Sequence, residues 1–175
     1  MGSVGGNLNP YYNQANEMYH AKYMYRDRGD LTFERAIAEY SNEDYEYSDY
    51  ISEELKRRGG TPRADLYRGM SFRNDPTSRS WSFYEQQLKD KNVGDIITSN
   101  QLSSFDTTES KAKEFATTYQ IQVMLHLINN TKARDISNLS TAKLEQEYLA
   151  PKNVRWKIVK TYKKGNIQYY DIKEV

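Results

Sequence analysis

Three short stretches of the chain hold side chains able to do chemistry together. In LEQEYLAP, residues 144–151, Glu145 and Glu147 stand two apart. An extended backbone turns both to one face and Gln146 to the other. Paired carboxylates serve glycosidic-bond cleavage, one stabilising an oxocarbenium-like centre while the other handles a proton. They also serve as plain solubilising charges on an edge strand. In LYRGMSF, residues 66–72, Arg68 precedes Gly69 at a strand end. A planar guanidinium there can grip phosphate while the glycine backbone lets a ligand come close. An ordinary surface arginine fits the same residues. In LSSFDTTESKAKEFA, residues 102–116, Ser104 comes eight positions before Ala112. Its hydroxyl can orient a carboxylate by hydrogen bonding, or the Ser/Thr-rich turn can simply cap the helix that follows.

The bulk composition narrows the classes. With 175 residues, one domain with a real core is expected. Only 37% of residues are apolar, yet 13% are aromatic and 16 are tyrosine. Disordered chains are poor in aromatics, and tyrosine can bury its ring while keeping its hydroxyl at the surface. A folded, very soluble domain is the expectation. Lys and Arg number 25 against 24 Asp and Glu, for a net charge of +1. That balance speaks against bulk attraction to nucleic acid or anionic membrane. The chain has no cysteine, so thiolate chemistry and thiolate-bound zinc are excluded. His20 and His126 lie far apart without metal-ligand spacing and read as structural, so no metal is expected. No apolar run approaches the roughly 20 residues of a membrane span, and MGSVGGNLNP has no apolar signal core.

The positioning elements follow from periodicity. Residues 1–10 read as a flexible tail and 11–175 as a single domain, with a helical lead-in over 11–60 and a β-rich core over 61–175. In the lead-in, Tyr12, Ala15, Tyr19 and Tyr23 fall close to helical spacing. LTFERAIAEY predicts a helix with Leu31, Ala36 and Ile37 inward and Thr32 as its cap. SNEDYEYSDYISEELKRRGG predicts another, capped by Ser41 and Asn42, with basic residues in its last turn and glycine after it. After Pro62, ADLYRGMSF reads as a strand, WSFYEQQLKDK as a short helix and GDIITSNQLSSF as strand material. ESKAKEFATTY predicts an amphipathic helix with Ala112, Phe115 and Ala116 inward. IQVMLHLIN alternates Ile121, Val123, Leu125 and Leu127 as a strand, and WKIVKTYKKGNIQYYDIKEV reads as a hairpin about Lys-Gly-Asn. Helices first and mostly strands later give an α+β class.

In this order and spacing, AIAEYSNEDYEYSDYISEELKRRGG, LYRG, GDIITSNQLSSFDTTESKAKEFA and EQEYLAPKNVRWKIV resemble the Arg-Ser-Glu class of mono-ADP-ribosyltransferases. That family includes binary-toxin enzymatic components and phage-encoded arginine-modifying enzymes. The resemblance spans nearly the whole chain and implies N-terminal helices packed on a two-sheet β core that binds NAD over residues 61–175. It implies that Glu147 faces the ribose, Ser104 orients Glu147, Arg68 grips the phosphates or ribose, and the Gly69 backbone admits the ligand. Glu145 would face an arginine acceptor, since arginine-specific members carry this Glu-x-Glu pattern. Close carboxylates raise one another's pKa, which suits a base-like role for that pair. Phe115 reads as helix core. The family's usual Ser-Thr-Ser becomes Ser104-Phe105-Asp106, and a register anchored on Phe105 would put Thr107 in the serine's place. The implied co-substrate is NAD, without metal, and the implied partner is a target protein presenting an arginine. Nucleic acid as acceptor has little support from the charge. A monomer acting in the cytoplasm of an infected or target cell, phage-encoded or specially delivered, is expected. An NAD glycohydrolase on the same fold and a non-catalytic module using the tyrosine-rich helices are the alternatives.

Overall fold

The computed structural model describes residues 29–41, 47–139 and 147–175. The expected tail, the helical pattern of residues 11–28, His20, Asn42 and Glu145 lie outside the described residues. Two helices come first. α1 (Gly29–Ser41) buries Phe33, Ala36 and Ile37 along one stripe at helical spacing. α2 (Ser48–Arg58) buries Ile51, Ser52 and Leu55. Two expected caps do not hold. α1 starts at Gly29, so Thr32 falls within its first turns. Ser41 is the last residue of α1, and α2 begins seven positions later, after Tyr47. The apolar stripe carries α1 as far as Ser41, because packing sets the helix end more firmly than cap chemistry does. The far end of α2 matches expectation. Lys56, Arg57 and Arg58 fill its last turn, and Gly59 closes it at φ 84°, donating its N–H to the Leu55 carbonyl at 2.9 Å.

Eight strands make the rest: β1 (Arg63–Phe72), β2 (Ile96–Thr98), β3 (Ser103–Asp106), β4 (Ile121–Asn130), β5 (Arg134–Asp135), β6 (Glu147–Ala150), β7 (Arg155–Lys164) and β8 (Ile167–Glu174). Between β1 and β2, α3 (Trp81–Phe83) runs into a π-helical turn (Tyr84–Leu88), and α4 (Glu109–Ala116) links β3 to β4. The ladder order is β2-β7-β8-β4-β1-β3-β6-β5, with β4 and β8 parallel and every other pair antiparallel. β1 pairs with β4 over nearly its full length but meets β3 at one residue pair, Tyr67 and Asp106. The two expected sheets are therefore a five-strand and a three-strand block that touch at this narrow junction. The β7–β8 hairpin turns at Gly165, φ 59°, as its Lys-Gly-Asn sequence predicts.

Three apolar clusters hold these blocks. The largest gathers Leu66, Phe105, Leu125, Trp156, Ile158 and Ile172 from the strands, with Phe105 edge-on to Trp156 at 5.6 Å between centroids. A second joins Phe33 and Ile37 of α1 and Ile51 and Leu55 of α2 to Leu102, Ile136 and Leu149. A third seats Ala112 and Ala116 of α4 on Met124, Ile167 and Tyr169. Phe115, expected inward, is instead 52% exposed. Ala112 and Ala116, four apart, take the buried stripe, and Phe115 falls beside it.

Candidate active site

The junction between the two strand blocks is also where Arg68, Gly69, Ser104 and Glu147 meet. A cavity of about 350 Å³ is lined by Arg68, Gly69, Ser104, Phe105, Asp106, Phe115 and Glu147, a size usual for small-ligand sites. Arg68 and Gly69 come from β1, Ser104 and Asp106 from β3, Glu147 from the first position of β6 and Phe115 from α4. Residues far apart in sequence converge because β3 bridges β1 on one side and β6 on the other.

Register explains how the polar groups are aimed. Ser104 and Asp106 alternate with buried Phe105, so both project to one face of β3. Glu147 pairs directly with Asp106 across the β3–β6 ladder and so shares that face. The Ser104 hydroxyl donates to Glu147 Oε2 at 2.9 Å. A hydrogen bond to an ionised carboxylate is both stronger and more directional than a neutral one. Thr107 does not line the cavity, so the serine position anchored on the Ala-x-x-Phe-Ala helix is the one that meets the carboxylate.

Arg68 donates from Nη1 to the Ser104 carbonyl at 3.0 Å, which ties β1 to β3 beside their single ladder pair. Burial pulls its pKa below the usual arginine value, while Tyr40, Glu147 and Asp106 oppose that shift. The guanidinium remains charged, because arginine is not deprotonated in proteins. A cation held in a cavity beside hydroxyl and carboxylate suits phosphate and ribose recognition. Tyr40 lies on α1, so the helical lead-in contributes to the electrostatics of this cavity.

Gly69 borders the cavity, but a different neighbour demands its lack of a side chain. A Cβ there would stand 1.8 Å from the Ala112 carbonyl oxygen and 3.0 Å from the Ala116 nitrogen. The glycine lets α4 lie directly on β1. That packing is by itself enough to require a glycine. Sequence reasoning passed over three lining groups, of which Phe105 borders the cavity while remaining 1% exposed in the core. Asp106 reads in the sequence as a departure from a motif, although its two-residue spacing from Ser104 places it on the same face. Phe115 reads in the sequence as core, although Ala112 and Ala116 already supply the buried stripe of this helix. His126 is held between Asp171, 3.1 Å from Nδ1, and Asp65, 2.7 Å from Nε2, and stacks on Tyr67 at 4.8 Å. Among the described residues no His, Asp and Glu group is arranged to hold a metal, and no helix is long and apolar enough to cross a membrane.

Residues 49–175 match the family model of the ADP-ribosyltransferase exoenzyme. No curated protein matches the sequence. Among solved structures, the ADP-ribosyltransferase Vis in complex with the M6 inhibitor superposes with a TM-score of 0.64 at 14% identity, over 94% of this chain and 82% of that one. Vis is a toxin of Vibrio splendidus. Exoenzyme S of Pseudomonas aeruginosa, bound to Carba-NAD and human 14-3-3 protein beta, gives 0.57 at 12% identity over 98% and 83%. Plx2a, an ADP-ribosyltransferase toxin from Paenibacillus larvae, gives 0.56 at 12% identity over 92% and 96%. At these identities the structural likeness speaks to the fold, the α+β arrangement seen here. The family match covers well over half the sequence and takes in every residue lining the cavity, and on that basis the chain belongs to the ADP-ribosyltransferase exoenzyme family.

Proposed function

We propose that this protein transfers ADP-ribose from NAD to an arginine of a target protein and releases nicotinamide. The observation that carries the reading is the Ser104 hydroxyl bound to Glu147 at 2.9 Å, with the Arg68 guanidinium on the same cavity wall. Arg68 binds the phosphates or an adjoining ribose of NAD. Ser104 fixes one oxygen of Glu147, which turns the carboxylate toward the nicotinamide ribose and lets it accept a ribose hydroxyl. As the bond from C1′ to nicotinamide breaks, its electron pair passes to the ring nitrogen and positive charge grows on the ribose. A fixed carboxylate stabilises that charge more in the transition state than in the ground state. A guanidine nitrogen then forms the new bond to C1′ and gives up one proton. Glu145 takes the acceptor role from just upstream of β6. Arginine is protonated below a pKa of about 12, so a neighbouring carboxylate both binds it and receives the proton as it attacks.

Neighbours with the same fold support parts of this reading. Vis has been captured with agmatine, itself a guanidine, and exoenzyme S with Carba-NAD. XopAI of Xanthomonas axonopodis is a type III effector. By the same reading the protein works as a monomer in the cytoplasm of an infected or target cell, as a phage-encoded or delivered effector.

The test follows nicotinamide release and label transfer from NAD, with and without agmatine or an arginine-bearing protein. Glu147→Gln should lose both activities. Glu145→Gln should lose transfer and keep some hydrolysis. Full transfer by the Glu147 variant would remove the mechanism. Hydrolysis by the unmodified protein with no transfer to any guanidine would leave an NAD glycohydrolase.

A further inference from the structure

The cavity wall carries a second carboxylate that the motif does not call for. Asp106 stands where the family resemblance expects a hydroxyl, and the ladder sets it directly opposite Glu147. Directly opposed residues on one face of an antiparallel pair have Cβ atoms about 5 Å apart, and like charges so placed repel. Ser104 projects from the same face two positions earlier. The hydroxyl, Glu147 and Asp106 thus form a small triangle beside Arg68, whose charge both carboxylates favour. In the lining, Asp106 presents a carboxylate to the cavity beside the one that Ser104 holds, with Arg68 next to both. A carboxylate on the cavity wall can form a charge-assisted hydrogen bond to a cation that enters the cavity.

We propose that Asp106 recognises the guanidinium of the incoming arginine from the β3 side of the cavity. The inference rests on the transferase reading above. Glu147, held by Ser104, is committed to the donor ribose. As nicotinamide departs neutral, the positive charge of NAD passes to the ribose that Glu147 faces, whereas the acceptor guanidinium brings a separate cation of its own. A planar guanidinium can take a carboxylate from either side, and Asp106 supplies one from a strand held on both edges. It is a specificity residue and takes no part in breaking the bond to nicotinamide.

Asp106→Asn and Asp106→Glu are compared with the unmodified protein, with agmatine as acceptor. Three quantities are followed: transfer kinetics, hydrolysis without acceptor, and melting temperature. The Asn variant should raise the KM for agmatine roughly 10- to 100-fold, the range of one charge-assisted contact. Transfer should fall at least tenfold more than hydrolysis, the Glu variant should recover part of the loss, and the melting temperature should hold. An unchanged agmatine KM overturns the proposal and leaves the transferase reading standing. An equal fall in transfer and hydrolysis also overturns it, since the carboxylate would then serve the donor. So does a lowered melting temperature with both activities lost, which marks a structural role. If the unmodified protein cleaves NAD yet modifies no guanidine, the arginine reading fails and takes this proposal with it.

Discussion

A side chain's absence does as much at this site as any side chain's presence. Gly69 leaves room for the backbone of α4, whose Ala112 carbonyl would lie 1.8 Å from an added Cβ. Backbone cannot swing aside as a side-chain tip can, so even one methyl must push the helix off the strand. Overpacking of this kind costs roughly 1–3 kcal/mol or more. Gly69→Ala should therefore lower the unfolding free energy from urea titration by that amount, with a lower midpoint, and weaken turnover as well, because Phe115 and the Thr108–Ala116 segment move with the helix. Were the glycine there only to admit a ligand, alanine would raise the KM for NAD and leave the midpoint alone. An unfolding curve matching the unmodified protein would thus reject the packing account.

At the scale of elements, α4 is clamped at its start as well as its middle. Glu109 accepts hydrogen bonds from the Tyr169 hydroxyl and from Lys164 Nζ, the latter at 3.2 Å, so the first turn of α4 is tied to the β7–β8 hairpin. Lys113 lies 3.9 Å away on the same helix. The Tyr169 bond, followed by the Lys164 contacts, pulls the Glu109 pKa below the usual carboxylate value against the opposing effect of burial. A depressed carboxylate pKa gives stability that is present above the unfolded value of about 4.3 and lost as pH falls through the folded value. Glu109→Gln should thus be less stable near pH 7, by about 1 kcal/mol given the group's partial exposure. The deficit should shrink below about pH 4, where the native carboxylate also takes up its proton. Urea midpoints at pH 7 and pH 3 measure this, and a deficit of equal size at both would contradict it. Elements of this kind were legible because their signals are local: the alternation of β4, the Lys-Gly-Asn turn and Gly59 after α2 each act within a few residues. The starts of α1 and α2 were not, since packing against Leu102, Ile136 and Leu149 decides where they run and those partners are distant in sequence. Arg68, Ser104 and Glu147 were picked by order and spacing. Their meeting point depends on β3 crossing from one strand block to the other, which no short window encodes.

For the whole molecule, one face of β3 and β6 joins the helical lead-in to the chemistry. Leu149 is two positions from Glu147 and pairs across the ladder with Ser104, so all three share a face. Toward one end that face is covered by Phe33 and Ile37 of α1 and Ile51 and Leu55 of α2; toward the other it forms the cavity wall. Arg58 of α2 also stacks over Phe33 at 4.3 Å, and Arg134 beside β6 donates to the Gly59 carbonyl at 3.0 Å. Stripping the helices would uncover fully buried Leu149 and Ile136 and remove Tyr40 from the neighbourhood of Arg68. The lead-in and the strand core should therefore unfold in one transition. Leu149→Ala, which leaves a cavity between them, should cost about 2–5 kcal/mol. It should shift the far-UV helical signal and the tyrosine fluorescence by the same amount. A fragment of residues 61–175 should fail to bind NAD or to give a cooperative melt. If that fragment instead melted cooperatively and cleaved NAD as the full chain does, the helices would be a separate unit, and the shared face would have no bearing on how Glu147 is held.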